Sequence, residues 1–405
     1  MPIKPILTNV NENPAYQVLR KSRSLIFLQG PVGPFFDRLI DWVNSHGATV
    51  NRVVFSGGDL CDSKSIKKPI LFTKTLADWP AFFEEKCRDL QIDAVVLFGQ
   101  HRPYHLAVIE LCIKLDIRLI VLEEGYFRPG FFTMELDGVN AWSTSLEKYF
   151  WTGSNELLSA ETTSFFRISI NAIWHYLGIL RYRSVFPNYK HHRSSNLFTY
   201  LFHWSFSWAR KLVNLKKNST QQAFLFETGA FYYFVPFQIE IDSQVVNHSN
   251  FNSNLNFANF VLRSFVGNAP SGSFIVFKEH PHDRATRQLK KGLKALAVEL
   301  NLEDRLVYLL EGNTPDLVKN SRGVVLINST VGIRAIQHLV PLIALGQAVY
   351  NRPEVCFQGT LDDFWIEAQL PNRLVAKAFL SQIKNLTQVS GSLYSPRNTA
   401  LTWPK

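Results

Sequence analysis

The chain has 405 residues, a formal net charge of +10 at pH 7 and an aromatic content of 13%. Its length fits two domains of roughly 150 to 200 residues each and excludes a small scaffold that depends on disulfides or a structural metal. The four cysteines form no Cys-x-x-Cys pair, which argues against a zinc site, and we expect reduced, buried thiols in a cytoplasmic protein.

The first residues of the chain lack the apolar core of an export signal. No apolar run reaches the roughly 18 to 20 residues that a bilayer span requires. The sequence therefore predicts a soluble or peripheral protein.

The N-terminal part alternates between apolar runs and amphipathic patterns. Strands are predicted at SLIFLQG, ATVNRVVF, DAVVLFG and RLIVLEEG, and helices at FFDRLIDWVNSHG and YHLAVIELCIKLD. Such alternation is typical of a parallel sheet. We expect a Rossmann-like domain over residues 1–150.

Polar residues follow predicted strands in four places. Glu123, Glu124 and Gly125 come after RLIVL, and the other three are ETG after AFLF, EHPHD after FIVFK and NST after GVVLI. Open α/β sheets bind ligands at the carboxyl ends of their strands, so the four together predict an active site. The turn QGPVGPFF could bring backbone close to a ligand at Gly30 and Gly33, or it could be no more than a tight turn.

Residues 162–226 contain no Asp or Glu but carry nine basic residues, which are Arg167, Arg181, Arg183, Lys190, Arg193, Arg210, Lys211, Lys216 and Lys217. Aromatic residues are interleaved with them, which indicates amphipathic helices suited to docking on anionic lipid. Nucleic acid is another polyanion, but the usual recognition motifs are absent. The remaining interpretation is a solvated connector with packed aromatic side chains. We assign residues 151–220 to a basic, aromatic, helical connector.

The strand pattern restarts after this stretch. Strands are predicted at AFLFETG, SFIVFKEHP, LVYLLEG, GVVLINST and PLIALG, with helices at NFANFVLRSF and ATRQLKKGLKALAVEL. We expect a second Rossmann-like domain over residues 221–405. The predicted fold class is therefore α/β with two Rossmann-like domains.

The second domain carries candidate phosphate ligands. Asn328, Ser329 and Thr330 stand between a predicted strand and a helix, where backbone N–H groups suit a phosphate, although an ordinary helix cap has the same pattern. Lys278 and His280 follow another strand and could stabilise a departing phosphate without a metal, unless the imidazole is structural. No Walker-type loop or GxGxxG motif is present, and LDDF lacks the Asp-x-Asp spacing, so we expect no metal and no cofactor.

The segment VPFQIEIDSQ places two carboxylates in alternation with apolar residues. Glu240 and Asp242 would therefore face one side of an extended stretch. They could hold or provide a nucleophile, or they could line a polar strand between domains.

These motifs together resemble the KpsS type of capsule polysaccharide biosynthesis protein. The resemblance runs from about Phe27 to Tyr350 and is carried by EEGYFRP, TMELDGVN, VPFQIEIDSQVVNHS, KEHPHDR and NSTVGIRAIQHLVPLIALGQAVYN, with FGQHRPYH and FPNYKHHR as further parts. It implies a GT-B-like, retaining β-Kdo glycosyltransferase. The implied reaction moves Kdo from CMP-Kdo to a (lyso)phosphatidylglycerol acceptor at the cytoplasmic surface of the inner membrane, which starts the glycolipid linker of a capsular polysaccharide.

The resemblance also implies roles for individual residues. Asp242 would be the nucleophile and Glu124, beside Glu123, the acid or base. The resemblance implies that His280, Ser329 and Thr330 hold the donor phosphate, and we expect Lys278 and Asn328 to bind the donor beside them. Gly30, Arg102, His105, Arg128 and Glu135 are expected to line the acceptor side or another part of the pocket. Relatives often have His-His-Pro where this chain has Glu279 before His280.

The implied partners are a CMP-sugar, an anionic phospholipid and other capsule biosynthesis and export proteins, with no nucleic acid. Two rival hypotheses remain open. One is a non-catalytic partner of the export machinery that binds glycolipid. The other is a GT-B enzyme that uses another CMP-sugar, such as sialic acid. If Asp242 lies too far from the donor, an inverting route would use Glu124 as the general base.

Overall fold

The computed structural model describes residues 6–7, 13–152, 164–191, 218–238, 251–280 and 287–394. No helix within these ranges is both long enough and apolar enough to cross a membrane. The chain divides into two compact units, one formed by Met1–Ser194 with Ser381–Lys405 and the other by Ser195–Leu380. All four cysteines are free thiols.

The first unit is built on a mostly parallel sheet. Its strands are β2 (Ser24–Phe27), β3 (Thr49–Val54), β4 (Ile70–Leu71), β5 (Ala94–Phe98), β6 (Arg118–Glu124), β7 (Phe131–Leu136) and β14 (Gln388–Ser390), and β1 (Ile6–Leu7) pairs separately with β8 (Phe150–Trp151). The order across the sheet is β14-β7-β6-β5-β2-β3-β4. Strands β6, β5, β2, β3 and β4 are parallel to one another. Strand β7 runs antiparallel to β6, and β14 runs antiparallel to β7.

Helices cover both faces of this sheet. They are α1 (Pro14–Lys21), α2 (Phe35–Ser45), α3 (Gly57–Cys61), α4 (Trp79–Asp89), α5 (Pro103–Lys114), α6 (Ser145–Lys148) and α7 (Phe165–Arg181), with 3-10 turns at Leu76–Asp78 and Asn140–Trp142. Along β2, Leu25 and Phe27 enter one apolar core while Ile26 enters the core on the opposite face. The predicted strands read as continuous apolar runs because both faces of the sheet are buried.

The C-terminal segment belongs to the first unit, which corrects the expected second domain of residues 221–405. Strand β14 pairs with β7, so that Gln388 lies opposite Thr133. Leu393 is buried in the same core as Phe35 and Phe132. Strands that pair over such a long separation in sequence leave no local pattern. The sequence analysis therefore assigned this segment to the same domain as the residues that precede it.

Helix α7 also belongs to the first unit rather than to a separate connector over 151–220. It lies against α3, where a Cβ added at Gly178 would come within 2.6 Å of the Gly57 carbonyl oxygen. His175 on the same helix contacts Asp62 at 2.7 Å. The residues between 192 and 217 lie outside the described ranges.

The second unit contains a fully parallel sheet. Its strands are β9 (Tyr232–Pro236), β10 (Phe274–Lys278), β11 (Leu306–Leu309), β12 (Gly323–Leu326) and β13 (Leu342–Ala344), in the order β11-β10-β9-β12-β13. Its helices are α8 (218–227), α9 (Asn254–Asn268), α10 (Arg287–Glu299), α11 (Thr314–Lys319), α12 (Val331–Gln337) and α13 (Leu361–Glu367), and α14 (Arg373–Thr387) contains the boundary between the units. The two sheets confirm an α/β fold with two Rossmann-like parts.

The prediction of a strand at AFLFETG was wrong. Residues 218–227 are helical, and the strand that begins this sheet is β9. Asn218 and Leu225 are buried while Phe224 is exposed, which is the spacing of a helix. A short apolar run does not distinguish a strand from a buried helical stripe, so Glu227 is not at a strand end.

Candidate active site

Each sheet reverses its winding at one position, and ligands of open α/β sheets bind beside such positions. In the first unit the reversal lies between β2 and β5, and in the second between β9 and β12. Of the residues that follow these four strands, the sequence predicted roles for Gly30, Arg102 and His105 in the first unit and for Asn328, Ser329 and Thr330 in the second.

In the second unit, Gln238 and Asn328 form a reciprocal amide pair across the reversal. The Gln238 Nε2 donates to Asn328 Oδ1 at 2.9 Å, and the Asn328 backbone N–H donates to Gln238 Oε1 at 3.0 Å. Asn254 Nδ2 donates to the Gln238 carbonyl at 2.8 Å. All three side chains are buried, so the pair fixes the ends of β9 and β12 relative to each other.

The neighbouring strand β10 ends in three charged or titratable residues. Lys278 is buried and its ammonium donates to the Glu279 carbonyl at 3.3 Å. Glu279 is also buried and accepts a hydrogen bond from the Tyr308 hydroxyl at 2.9 Å. His280 is half-buried at the end of the segment. Because β9 lies between β10 and β12, the structure brings the ends carrying His280 and Asn328 to one edge of the sheet.

The predicted phosphate-binding turn lies at the start of α12. Ser329 and Thr330 are half-buried, and Thr330 is the cap residue but makes no side-chain cap bond. The Ser329 Oγ accepts from the Val331 N–H at 3.3 Å, so that hydroxyl already serves in part as a cap. The Tyr350 hydroxyl donates to the Ser329 carbonyl and its ring packs on Gly332, where a Cβ would lie 2.4 Å away.

In the first unit, Arg102 and Gly30 meet across the reversal. The Arg102 Nη1 donates to the Gly30 carbonyl at 3.0 Å, and its guanidinium stacks over the Phe98 ring at 5.1 Å. A Cβ at Gly30 would lie 2.7 Å from the Phe36 ring. The turn after β2 therefore needs a glycine at this position, because its backbone packs directly against that ring.

His105 supports this turn from within and does not line an open site. Its Nε2 accepts from the Gln29 N–H at 3.2 Å, and its Nδ1 lies 2.7 Å from the Gly99 carbonyl. The ring is therefore the neutral tautomer with the proton on Nδ1. Burial and the nearby Arg102 lower the pKa of His105 to about 3. The expected acceptor contact is corrected to a positioning role, because both ring nitrogens are occupied and the side chain is fully buried.

Glu124 is the last residue of β6 and receives a hydrogen bond from the hydroxyl of Tyr394. Arg128 Nε lies 4.0 Å from the other carboxylate oxygen and donates to the Gly125 carbonyl at 2.9 Å. Burial and the Glu124 carboxylate raise the pKa of Tyr394, while Arg128 and Arg102 act in the opposite direction. The phenol thus stays a neutral donor to a half-buried carboxylate, beside two guanidinium groups.

Glu123 and Glu124 do not act as an adjacent pair. Successive side chains of a strand point to opposite faces of the sheet, and both residues lie within β6. The turn that follows is held by Gln388, whose Oε1 accepts from the Tyr126 N–H at 2.8 Å and whose Nε2 donates to Thr133 Oγ1 at 3.0 Å. The C-terminal strand thereby positions the turn after Glu124.

Glu135 is fully buried and does not line an open surface. It accepts hydrogen bonds from three hydroxyls, those of Tyr126 at 2.8 Å, Ser145 at 2.7 Å and Ser143. Burial raises the pKa of Glu135 to about 7, against the effect of these three donors. The residue anchors the segment from β7 to α6, so its expected contact with an acceptor is corrected to a structural one.

Asp242 and Glu240 lie outside the described residues, and the role predicted for Asp242 stays a prediction. Across the described ranges, no group of three or more His, Cys, Asp or Glu side chains is arranged to hold a metal ion.

Sequence reasoning missed four residues that shape the two positions: Gln238 as a structural partner, Tyr308, Gln388 and Tyr394. Gln238 stands directly after a predicted strand and could have been found from that position. Gln388 and Tyr394 carry no local signal because their partners lie 262 and 270 residues earlier.

Comparison with known proteins gives a consistent family. Residues 93–394 match the family model described as capsule polysaccharide biosynthesis protein. The capsule polysaccharide export protein KpsS of Escherichia coli is 33% identical over 389 residues, which cover 94% of this chain and 99% of that protein. The capsule polysaccharide modification protein LipB of Neisseria meningitidis serogroup A is 33% identical over 399 residues, which cover 95% of each chain.

Among solved structures, the Thermosulfurimonas dismutans KpsC beta Kdo 2,7 transferase aligns over 92% of this chain and 93% of that chain, with 13% identity and a TM-score of 0.44. The family match extends beyond Tyr350, where the motif resemblance ends, and it includes Tyr394.

Proposed function

Because the chain belongs to the family of capsule polysaccharide biosynthesis proteins, we propose that it is a GT-B-type glycosyltransferase that starts the glycolipid linker of a capsular polysaccharide. It moves Kdo from CMP-Kdo to a (lyso)phosphatidylglycerol acceptor at the cytoplasmic surface of the inner membrane. The observation that carries the proposal is the gathering of polar side chains at the winding reversal of the second sheet, where Gln238 and Asn328 are paired.

The donor phosphate is held in the second unit. His280, Ser329 and Thr330 offer an imidazole and two hydroxyls at neighbouring strand ends, and buried Lys278 contributes positive charge close by. These groups stabilise the charge that develops on the phosphate as the sugar departs. They do so without a metal ion, which is our expectation from the sequence.

The chemistry on the sugar uses two carboxylates. Asp242 attacks the anomeric carbon, the bond from that carbon to the phosphate oxygen breaks, and CMP leaves. The acceptor hydroxyl then attacks the same carbon and releases Asp242, while Glu124 takes the hydroxyl proton. Two displacements retain the configuration. If Asp242 takes no part, Glu124 alone serves as general base and the configuration inverts.

Arg102 and Arg128 support the acceptor role of the first unit. Arg128 lies 4.0 Å from the Glu124 carboxylate, and both guanidinium groups act on the Tyr394 hydroxyl that donates to Glu124. Guanidinium groups bind phosphodiesters well, and the acceptor is an anionic lipid with a phosphate headgroup. A neutral Tyr394 donor then keeps the Glu124 carboxylate in one orientation.

The test is a mass-spectrometric transfer assay on purified protein with CMP-Kdo generated in situ and a short-chain phosphatidylglycerol. We expect the acceptor to gain the mass of one Kdo. Asp242→Asn and Glu124→Gln should abolish the gain. Glu110→Gln is the matched control, because Glu110 is an exposed carboxylate of helix α5 and should retain full activity.

Other outcomes separate the rival functions. No transfer by folded protein with active donor would refute the proposed reaction. It would favour the export-partner hypothesis, which the name of the Escherichia coli relative, a capsule polysaccharide export protein, supports. Transfer of sialic acid instead of Kdo would keep the enzyme class and replace the donor. Thermal protection by CMP, but not by UDP, would support the CMP-linked donor.

A further inference from the structure

Helix α7 is amphipathic in the reverse of the usual sense. Its small and polar residues face the first unit, since Gly178 lies against Gly57, His175 against Asp62, and Asn171 against Gly33. A Cβ at Gly33 would lie 2.6 Å from the Asn171 amide nitrogen, and one at Gly58 would lie 2.5 Å from the His175 ring. The helix is therefore closely fitted to its support through side chains that bury little apolar area.

The opposite side of α7 carries large apolar side chains that are exposed, and we call it the apolar face. Its members and their exposed fractions are Phe166 at 74%, Ile173 at 52%, Trp174 at 66%, Leu177 at 46% and Leu180 at 47%. Spacings of three, four and seven residues place them on one stripe. A contiguous patch of this kind on a protein surface marks an interaction site rather than scattered exposure.

Charge around the apolar face has one sign. Arg167, Arg181 and Arg183 are exposed at its two ends, and no acidic residue occurs anywhere from 162 to 226. Basic residues at the rim of an apolar helix face are typical of helices that lie in the plane of an anionic bilayer surface. Trp and Arg side chains suit the interfacial region of a bilayer, because each has an apolar part that can be buried and a polar part that stays hydrated.

We propose that the apolar face of α7 inserts into the surface of a bilayer that contains anionic lipid. A second copy of this chain fits less well, because two such faces would bring basic rims together with no acidic residue of this stretch to pair with them. Free polyanions would not account for five exposed apolar side chains. An anionic bilayer offers an apolar interior for the exposed side chains of α7 and negative headgroups for the arginines around them.

The same helix contacts the candidate site of the first unit. Asn171 Nδ2 donates to the Tyr394 carbonyl at 3.4 Å, and the Tyr394 hydroxyl bonds Glu124. Docking through α7 would therefore present Glu124 and the turn at Gly33 at a fixed depth relative to the bilayer. The use of this contact for lipid acceptors rests on the proposed function, whereas bilayer binding itself does not.

The first experiment is vesicle flotation of the full chain with phosphatidylcholine vesicles, with and without phosphatidylglycerol. Wild-type protein should float with the anionic vesicles. The triple variant Ile173→Ser/Trp174→Ser/Leu177→Ser should bind them at least about tenfold more weakly, because the buried apolar area is lost. Arg167→Glu/Arg181→Glu should lose the preference for anionic vesicles.

Matched controls are Ile113→Ser/Ile366→Ser/Leu374→Ser, whose side chains are 74%, 74% and 78% exposed on other helices. These changes should leave vesicle binding unaltered. Equal vesicle binding by the wild type and the α7 triple variant would overturn the proposal. So would a wild-type protein that binds no vesicle but forms a dimer that the triple variant loses.

A transfer assay separates this proposal from the proposed function. With acceptor embedded in vesicles the α7 triple variant should be slower, and with soluble short-chain acceptor it should match the wild type. Vesicle binding without transfer to either acceptor would support the docking surface and refute the proposed reaction. Equal loss on both acceptors would show that α7 acts through the site and not through the bilayer.

Discussion

Tyr394 donates a hydrogen bond from its hydroxyl to Glu124, a residue 270 positions earlier in the chain. The bond joins the last described segment of the chain to the carboxyl end of β6. It is possible because β14 pairs with β7 and returns the chain to the first sheet. The residue proposed to handle the acceptor proton is thus oriented by a group that no local motif contains.

Tyr394→Phe should lower kcat for Kdo transfer by roughly 10- to 100-fold, because a hydrogen bond to a charged group contributes about 1.5 to 3 kcal/mol. KM for CMP-Kdo should change little, because Tyr394 bonds the residue proposed to act on the acceptor and not the groups proposed to hold the donor phosphate. Tyr233→Phe is the control, because that hydroxyl donates to the Trp365 carbonyl and should affect stability only. An unchanged kcat in Tyr394→Phe would rule out a role for Tyr394 in positioning Glu124.

Asn328→Asp should weaken binding of CMP by at least about tenfold, because it adds a buried negative charge beside the phosphate position. Its Oδ1 can still accept from Gln238, so the pair need not dissociate. Calorimetric titration with CMP measures the effect. Asn320→Asp adds the same charge at an exposed position before β12 and should bind CMP normally; equal affinity in both variants would place the phosphate elsewhere.

His105 should make the first unit sensitive to acid. Its pKa is about 3 when folded and near 6.5 when unfolded, so the unfolded chain binds the proton first. Its contribution to stability is complete above pH 6.5 and is lost as the pH falls towards 3, by about 3 kcal/mol at pH 4.5. Urea unfolding should show this loss in wild type and not in His105→Asn, which can still donate to Gly99. A parallel loss in both proteins would contradict the assignment.

Glu135 should give the free energy of unfolding the opposite pH dependence. Its folded pKa of about 7 exceeds the usual 4.5, so the folded state keeps a proton that the unfolded chain releases. Stability should therefore decline as the pH rises from 4.5 to 7 and stay level above, a change of about 3 kcal/mol. The difference in unfolding free energy between the wild type and Glu135→Gln should follow that profile. A difference independent of pH would show that Glu135 is ionised throughout.

Gly178→Ala should loosen α7, because the added Cβ would lie 2.6 Å from the Gly57 carbonyl oxygen and 2.8 Å from Cys61 Sγ. Overpacking of this kind costs about 1 to 3 kcal/mol. Gly267→Ala is the matched helical control, with no heavy atom within 4 Å of the new Cβ, and should stabilise by about 0.5 to 1 kcal/mol. Hydrogen exchange of α7 amides distinguishes the two; slow exchange in Gly178→Ala would show that the helix accommodates the methyl group.

The apolar runs predicted most of the strands. Of the four polar strand ends that the sequence singled out, the one at Asn328 lies at a winding reversal, and the predicted turn at Gly30 lies at the other reversal. AFLF failed because four apolar residues fit a helical stripe as well as a strand. The sequence singled out His105 and Glu135 but could not show that they are buried, because a strand or helix pattern gives the face on which a residue lies and not what covers that face. His105 and Glu135 accordingly changed from contacts to supports.

The sequence by itself determined the α/β class, the mostly parallel character of the two sheets and the strand ends that carry Glu124, His280 and Asn328, because these follow from local periodicity and from the rule that strand ends share an edge. Only the tertiary structure decided that Tyr394 orients Glu124, that Gln238 pairs with Asn328 and that α7 turns its apolar face outward. Each of these depends on contacts between segments far apart in the chain, whose geometry is set by packing and sheet pairing rather than by neighbouring residues.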